Sequence, residues 1–135
     1  MTSEVTYLGG LRTTAVHLKS GEQIITDAPV DNEGKGEAFS PTDLLATSLA
    51  SCHLTIMGIK ARDMNIDMDG ARAEVTKIMA SDPRRVGKVV IKIFMPDKNY
   101  SEKQISILTK SSEACPVSRS LGKNVDIDFQ LIWTS

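Results

Sequence analysis

The chain has 135 residues, 41% of them hydrophobic, enough to bury one core and hardly two, so a single domain over residues 1–135 is expected. Sixteen basic and seventeen acidic residues nearly cancel to a formal charge of -1, and only 4% of residues are aromatic, so nucleic acid is not an expected partner. The opening MTSEVTYLGG has neither the basic nor the apolar part of a signal peptide, and residues 44–59 are interrupted by Thr47, Ser48, Ser51, His53 and Thr55, short of the about 20 apolar residues a membrane span needs.

Strands and turns come first. Val5 and Tyr7 alternate with polar neighbours, Gly9-Gly10 marks a turn, Ala15, Val16 and Leu18 suggest a second strand, and residues 23–26 a third after Ser20-Gly21. Residues 27–37 (DAPVDNEGKGE) read as a loop. Ser40-Pro41-Thr42-Asp43 then opens a helix: Ser40 caps, Pro41 suits the first turn, and Asp43 closes a capping box. That helix is expected from residue 41 to about 64, with Leu45, Leu49, Cys52, Ile56 and Ile59 on one side and further apolar residues around it. Gly58 inside it points to close approach by another backbone. A period of two is read over residues 66–80, a turn at 82–85, and a strong strand over 88–95 (KVVIKIFM). Ser101 to Gln104 form a second capping box, whose helix is expected to end near Cys115. Pro116 starts a further helical turn closed by Gly122, and Val125, Ile127, Phe129 and Leu131 alternate in a last strand. Hairpins with segregated helices define an α+β fold with mainly antiparallel sheets.

Two cysteines carry the chemical interest. With no leader or membrane segment expected, a cytoplasmic protein is the expectation, and there a permanent structural disulfide is uncommon. Cys52 on the long helix is either a small core hydrophobe or a reactive thiol. Cys115 precedes a helical turn, whose free N–H groups and dipole favour a thiolate, or it serves only as a cap. If their Cα atoms came within about 7 Å the two could pair: one thiol attacks a peroxide oxygen, and the other condenses with the sulfenic acid to a disulfide. Such a thiolate needs a basic neighbour, and Arg12 and Arg119 are the candidates, each also readable as a solvated charge.

Other constellations carry less. His53 adjoins Cys52, but helical neighbours point about 100° apart, so His53 reads as a hydrogen-bonded, partly buried side chain rather than that thiol's base. His17 has nothing distinctive around it. No C-x-x-C or H-x-x-x-H spacing suggests a metal, Gly34-Lys35-Gly36 is too short for a phosphate loop, and no cofactor is expected.

SPTDLL, then LASC at Cys52, then CPVSRSL from Cys115 together resemble the OsmC/Ohr family over essentially the whole chain. The resemblance implies an OsmC-like fold with a long central helix in an intertwined homodimer, two sites at the interface, and the long helices packed centrally, giving Gly58 its reason. It also implies a thiol-dependent peroxidase reducing organic hydroperoxides, with Cys52 peroxidatic, Cys115 resolving, a Cys52–Cys115 disulfide intermediate, and Arg12 holding the thiolate. A dithiol such as a lipoyl group would be the reductant. One position departs: the family glutamate after the helix-opening proline is Thr42 here, and the carboxylate follows at Asp43, which is a helix cap or its substitute. The chain thus resembles a divergent OsmC-like branch rather than Ohr proper. The alternative is a small-molecule binding or redox-sensing protein on the same fold with little turnover.

Overall fold

The computed structural model describes residues 1–134. The chain forms two compact units, Met1–Leu45 and Ala46–Ser135. The first is an antiparallel meander of β1 (Ser3–Gly9), β2 (Arg12–His17) and β3 (Gln23–Asp27), joined by the two turns read from the glycines. Gly9, Gly10 and Gly21 all take positive φ there, a conformation glycine adopts without steric penalty. The β2–β3 register pairs Arg12 with Asp27. A short 3-10 turn over Val30–Asn32 lies within the following loop.

Helix α1 (Pro41–Asp63) opens as its capping box requires: the Asp43 N–H donates to Ser40 Oγ and the Ser40 N–H to Asp43 Oδ2, both at 3.0 Å. Its buried stripe is Ala46, Leu49, Ala50, His53, Met57 and Ala61, one helical spacing repeated over four turns. This phase differs from the expected one. Only Leu49 is shared, Cys52 is half-buried and Ile59 is exposed. Among the described residues, beyond the neighbouring residues and local backbone of α1, nothing lies within 4 Å of a Cβ built on Gly58, so they do not make the close approach expected there. Polar interruptions did not prevent α1 from reaching the length and composition of a membrane-crossing helix, since an 18-residue window has mean hydropathy 1.3. The core helix of a globular protein passes the same test, and the buried stripe is what such a helix carries.

In the second unit β4 (Arg72–Ala80) pairs antiparallel with β5 (Arg85–Phe94), and β5 pairs parallel with β6 (Asp126–Ile132). The parallel pair needs a crossover, which α2 (Glu102–Ser111) and α3 (Pro116–Ser120) provide. Two expected boundaries move. The strand read from residue 66 begins at Arg72, after turns at Asn65 and Gly70 with positive φ, and the helix expected to reach Cys115 ends at Ser111. Val89, Ile91, Ile93 and Met95 alternate into the core of this unit, where Leu49, Met57 and Leu108 are also fully buried. The His53 ring of α1 stacks on Phe129 of β6, with centroids 4.4 Å apart.

Removing a fully buried side chain from α1 should cost transfer and cavity energy together. Leu49→Ala is expected to lower the unfolding free energy by about 2–5 kcal/mol in urea denaturation. A loss under about 1 kcal/mol would contradict the packing of this stripe.

Candidate functional site

The second unit brings the two thiols together. Cys115 is the N-cap of α3, with extended backbone (φ -76°, ψ 113°), and its Sγ accepts from the Ser118 N–H at 3.3 Å. Pro116 at the first helical position fixes that geometry, because its ring presets φ and it has no N–H to leave unpaired. The Cys115 thiol neighbours that of Cys52 closely enough for the two to interact, and both cysteines are free thiols. Cys115 is fully buried and Cys52 half-buried, so the thiol on the long helix is the one open to an incoming molecule.

Electrostatics separate the pair. Burial pushes the Cys115 thiol above its ordinary range, and the bond to Cys52 adds to this, while the Ser118 N–H pulls the other way. From the sequence, this helix N-terminus either favours a thiolate or uses Cys115 only as a cap. The N–H group is there, but loss of water around the sulfur outweighs it.

His53 is buried, and its Nδ1 lies 2.7 Å from the Ser112 carbonyl oxygen. A carbonyl only accepts, so Nδ1 carries the proton and Nε2 is the bare nitrogen; among the described residues Nε2 has no partner. Burial lowers the His53 pKa below its ordinary value and so favours the neutral ring, while the Ser112 bond opposes this. Arg119 is exposed on α3, where its backbone N–H closes the helical turn onto the Cys115 carbonyl. Among the described residues no cluster of His, Cys, Asp or Glu could hold a metal ion.

Arg12 belongs to the first unit, where it meets two carboxylates. Its Nη2 is 2.7 Å from Glu37 Oε2 and 3.5 Å from Asp27 Oδ2. Asp27 is fully buried and its Oδ2 also accepts the Glu37 N–H at 3.0 Å. That N–H is the main cause holding its carboxyl below the ordinary value; burial raises it, and the Arg12 charge lowers it further. Asp43 is engaged in the helix cap, and Thr42 offers position 42 a hydroxyl, whose oxygen lies 3.2 Å from Ser40 Oγ. Asp27 and Glu37 were read only as loop polarity. The hairpin register was the available signal, because a turn at Ser20-Gly21 sets Asp27 opposite Arg12. Ser112 and Ser118 carried no sequence signal, since both act through backbone groups.

An α+β chain that holds a half-buried helical thiol against a buried one at a helix N-terminus defines a class of small dithiol proteins. A family profile described as OsmC-like protein matches residues 34–130, and the chain belongs to that OsmC/Ohr family. A proposed osmotic stress induced and detoxification response protein from Psychrobacter arcticus 273-4 is 57% identical over 97% of this chain and 95% of its own, with a TM-score of 0.90. An organic hydroperoxide resistance protein of Legionella pneumophila has a TM-score of 0.73 at 18% identity, covering 98% of this chain and 97% of its own. The organic hydroperoxide resistance protein OhrB of Bacillus subtilis has a TM-score of 0.66 at 22% identity, covering 97% and 98%. At these lower identities the likeness is one of fold. No curated protein sequence matches the chain.

Two titrations follow. In Cys52→Ser, ultraviolet thiolate absorbance reports Cys115 alone, and burial should hold its pKa above the ordinary cysteine value; a lower value would mean that the helix N-terminus prevails. For Asp27 the folded pKa lies below the unfolded 3.8, so its stabilisation is present above about that pH and is lost as pH falls through the folded value. Asp27→Asn should therefore flatten the acid limb of stability measured against pH, and an unchanged limb would contradict this role.

Proposed function

We propose that the protein is a thiol-dependent peroxidase that reduces organic hydroperoxides through Cys52, with Cys115 as the resolving thiol. The observation that carries this reading is the neighbourhood of the half-buried Cys52 and the buried Cys115, whose pKa burial raises. In the first step the Cys52 thiolate attacks the terminal oxygen of the hydroperoxide. The S–O bond forms, the O–O bond breaks, and the alkoxide leaves as an alcohol after taking a proton. Cys52 now carries a sulfenic acid. The Cys115 sulfur attacks the Cys52 sulfur, its proton leaves with the hydroxyl as water, and a Cys52–Cys115 disulfide results. A dithiol reductant, of the lipoyl kind in this reading, returns two electrons and two protons and becomes a disulfide itself.

The protonated Cys115 suits this division of labour. A Cys115 thiol raised by burial competes less for the peroxide, because only the thiolate is an effective nucleophile. Arg12 is assigned to assist ionisation of Cys52, within a subunit or across to its partner. Asp27 and Glu37 give that arginine the carboxylate partners that Thr42 lacks. The family membership and the hydroperoxide resistance of structurally similar proteins support the substrate class.

The reading includes a homodimer. In the single chain the first unit leaves Val5, Tyr7, Leu8, Ile24, Ile25 and Phe39 about half exposed or more. A unit of 45 residues with this much apolar surface calls for cover, and in this reading a second copy supplies it symmetrically. The open space beside Gly58 on α1 accepts a helix from that copy.

Steady-state reduction of cumene hydroperoxide with a dithiol reductant tests the assignment. Cys52→Ser is expected to fall to the uncatalysed rate, and Cys115→Ser to complete one oxidation and then over-oxidise at Cys52. A Cys52→Ser variant as fast as wild type would end the peroxidase reading and leave the binding or redox-sensing alternative.

A further inference from the structure

His53 and Ser112 tie together the two segments that carry the thiols. His53 follows Cys52 directly on α1, and Ser112 is the C-cap of α2, three residues before Cys115. The stretch between Ser112 and Cys115 is a hydrogen-bonded turn. The Ser112 N–H donates to the Leu108 carbonyl, the Glu113 N–H to Lys110 and the Ala114 N–H to Ser111, while Ser112 Oγ donates to the Thr109 carbonyl at 2.6 Å. Ser112 is itself buried. A push on its carbonyl is therefore passed to Cys115 rather than absorbed by a loose loop.

The other end is equally fixed. The His53 ring lies on Phe129 at 28° between planes, which sets the ring plane, and its one proton goes to Ser112 at 2.7 Å. Three elements thus meet at one imidazole: α1 holds it, β6 supports its face, and the end of α2 accepts its proton. Burial keeps the ring neutral, so the bond persists with a single tautomer. Neither nitrogen is placed to act on Cys52, because adjacent helical side chains diverge by about 100°.

We propose that His53 is a positioning residue: its bond to the Ser112 carbonyl, braced on Phe129, sets the approach of Cys52 to Cys115 and so the rate at which the Cys52 sulfenic acid is resolved. The inference rests on the peroxidase reading for its biological consequence, but the geometry it concerns exists without peroxide. Disulfide formation demands close Cα spacing and a narrow dihedral range, so a small shift of one thiol slows closure steeply. The step itself is balanced as above: the sulfenic hydroxyl and the Cys115 proton leave as water, and the S–S bond forms.

Asn and Gln separate the role of the bond from that of the ring. Asn places an amide donor where Nδ1 stands, Gln places it where Nε2 stands, and Phe keeps the stack without any donor. Two readings are made on the full-length protein. The first is the fraction of Cys52–Cys115 disulfide at equilibrium in glutathione redox buffers, which needs no peroxide. H53F and H53Q are expected to form the disulfide less favourably by about tenfold or more, with H53N close to wild type. The second is the product after excess cumene hydroperoxide, where H53F and H53Q should accumulate the sulfinic acid of Cys52 while the first oxidation keeps its wild-type rate.

If H53F fails to fold, the comparison of H53N with H53Q decides alone. Equal glutathione equilibria in wild type, H53N and H53Q would overturn the proposal. A wild-type protein that forms the disulfide with glutathione but leaves hydroperoxide untouched would sink the peroxidase reading, with the positioning role still measured by the first experiment.

Discussion

The site depends first on where α1 comes to rest. Its stripe of small and aliphatic residues is buried, and His53 belongs to that stripe as its one polar member. A buried imidazole must spend its proton on an acceptor, and the Ser112 carbonyl takes it. The rotation of the helix is then no longer free. Cys52, one residue back, is turned out of the buried face far enough to be half-exposed, yet it stays in contact with Cys115.

The two thiols differ because their surroundings differ. Cys115 sits on the N-terminus of a helix of five residues, with the Ser118 N–H donating to its sulfur, and desolvation by burial outweighs that bond. The result is a proton kept on the inner thiol, beside an outer thiol that meets solvent. In the first unit the balance is reversed. Asp27 is just as buried but stays charged, because a backbone N–H and a guanidinium repay its desolvation. Burial therefore prevails at Cys115, while the donors and charge facing Asp27 prevail there.

The sequence carried the fold class well, for identifiable reasons. Capping residues at Ser40 and Ser101 and the alternation in the β4–β5 hairpin are local signals, and they set the helix starts and most strand positions. The phase of α1 was less legible. Apolar residues surround that helix, so periodicity offered several stripes, and the one chosen shared only Leu49 with the buried face. The parallel pairing of β6 was hidden because alternation gives no strand direction, although the two helices before it imply a crossover. Arg12 was visible as a candidate but its carboxylate partners were not, since hairpin register sets Asp27 opposite it and the loop after β3 returns Glu37 to the pair. His53 was legible as a hydrogen-bonded side chain. Its partner was a backbone carbonyl, which no sequence pattern reveals.

The central claim is that Cys52 and Cys115 act on a peroxide as a pair. The most direct measurement mixes pre-reduced protein with one equivalent of cumene hydroperoxide and follows free thiols and intact mass over seconds. Loss of both thiols together, with a mass decrease of two hydrogens, is the predicted result. Thiols that remain free, or a slow gain of oxygen on one cysteine alone, would contradict it.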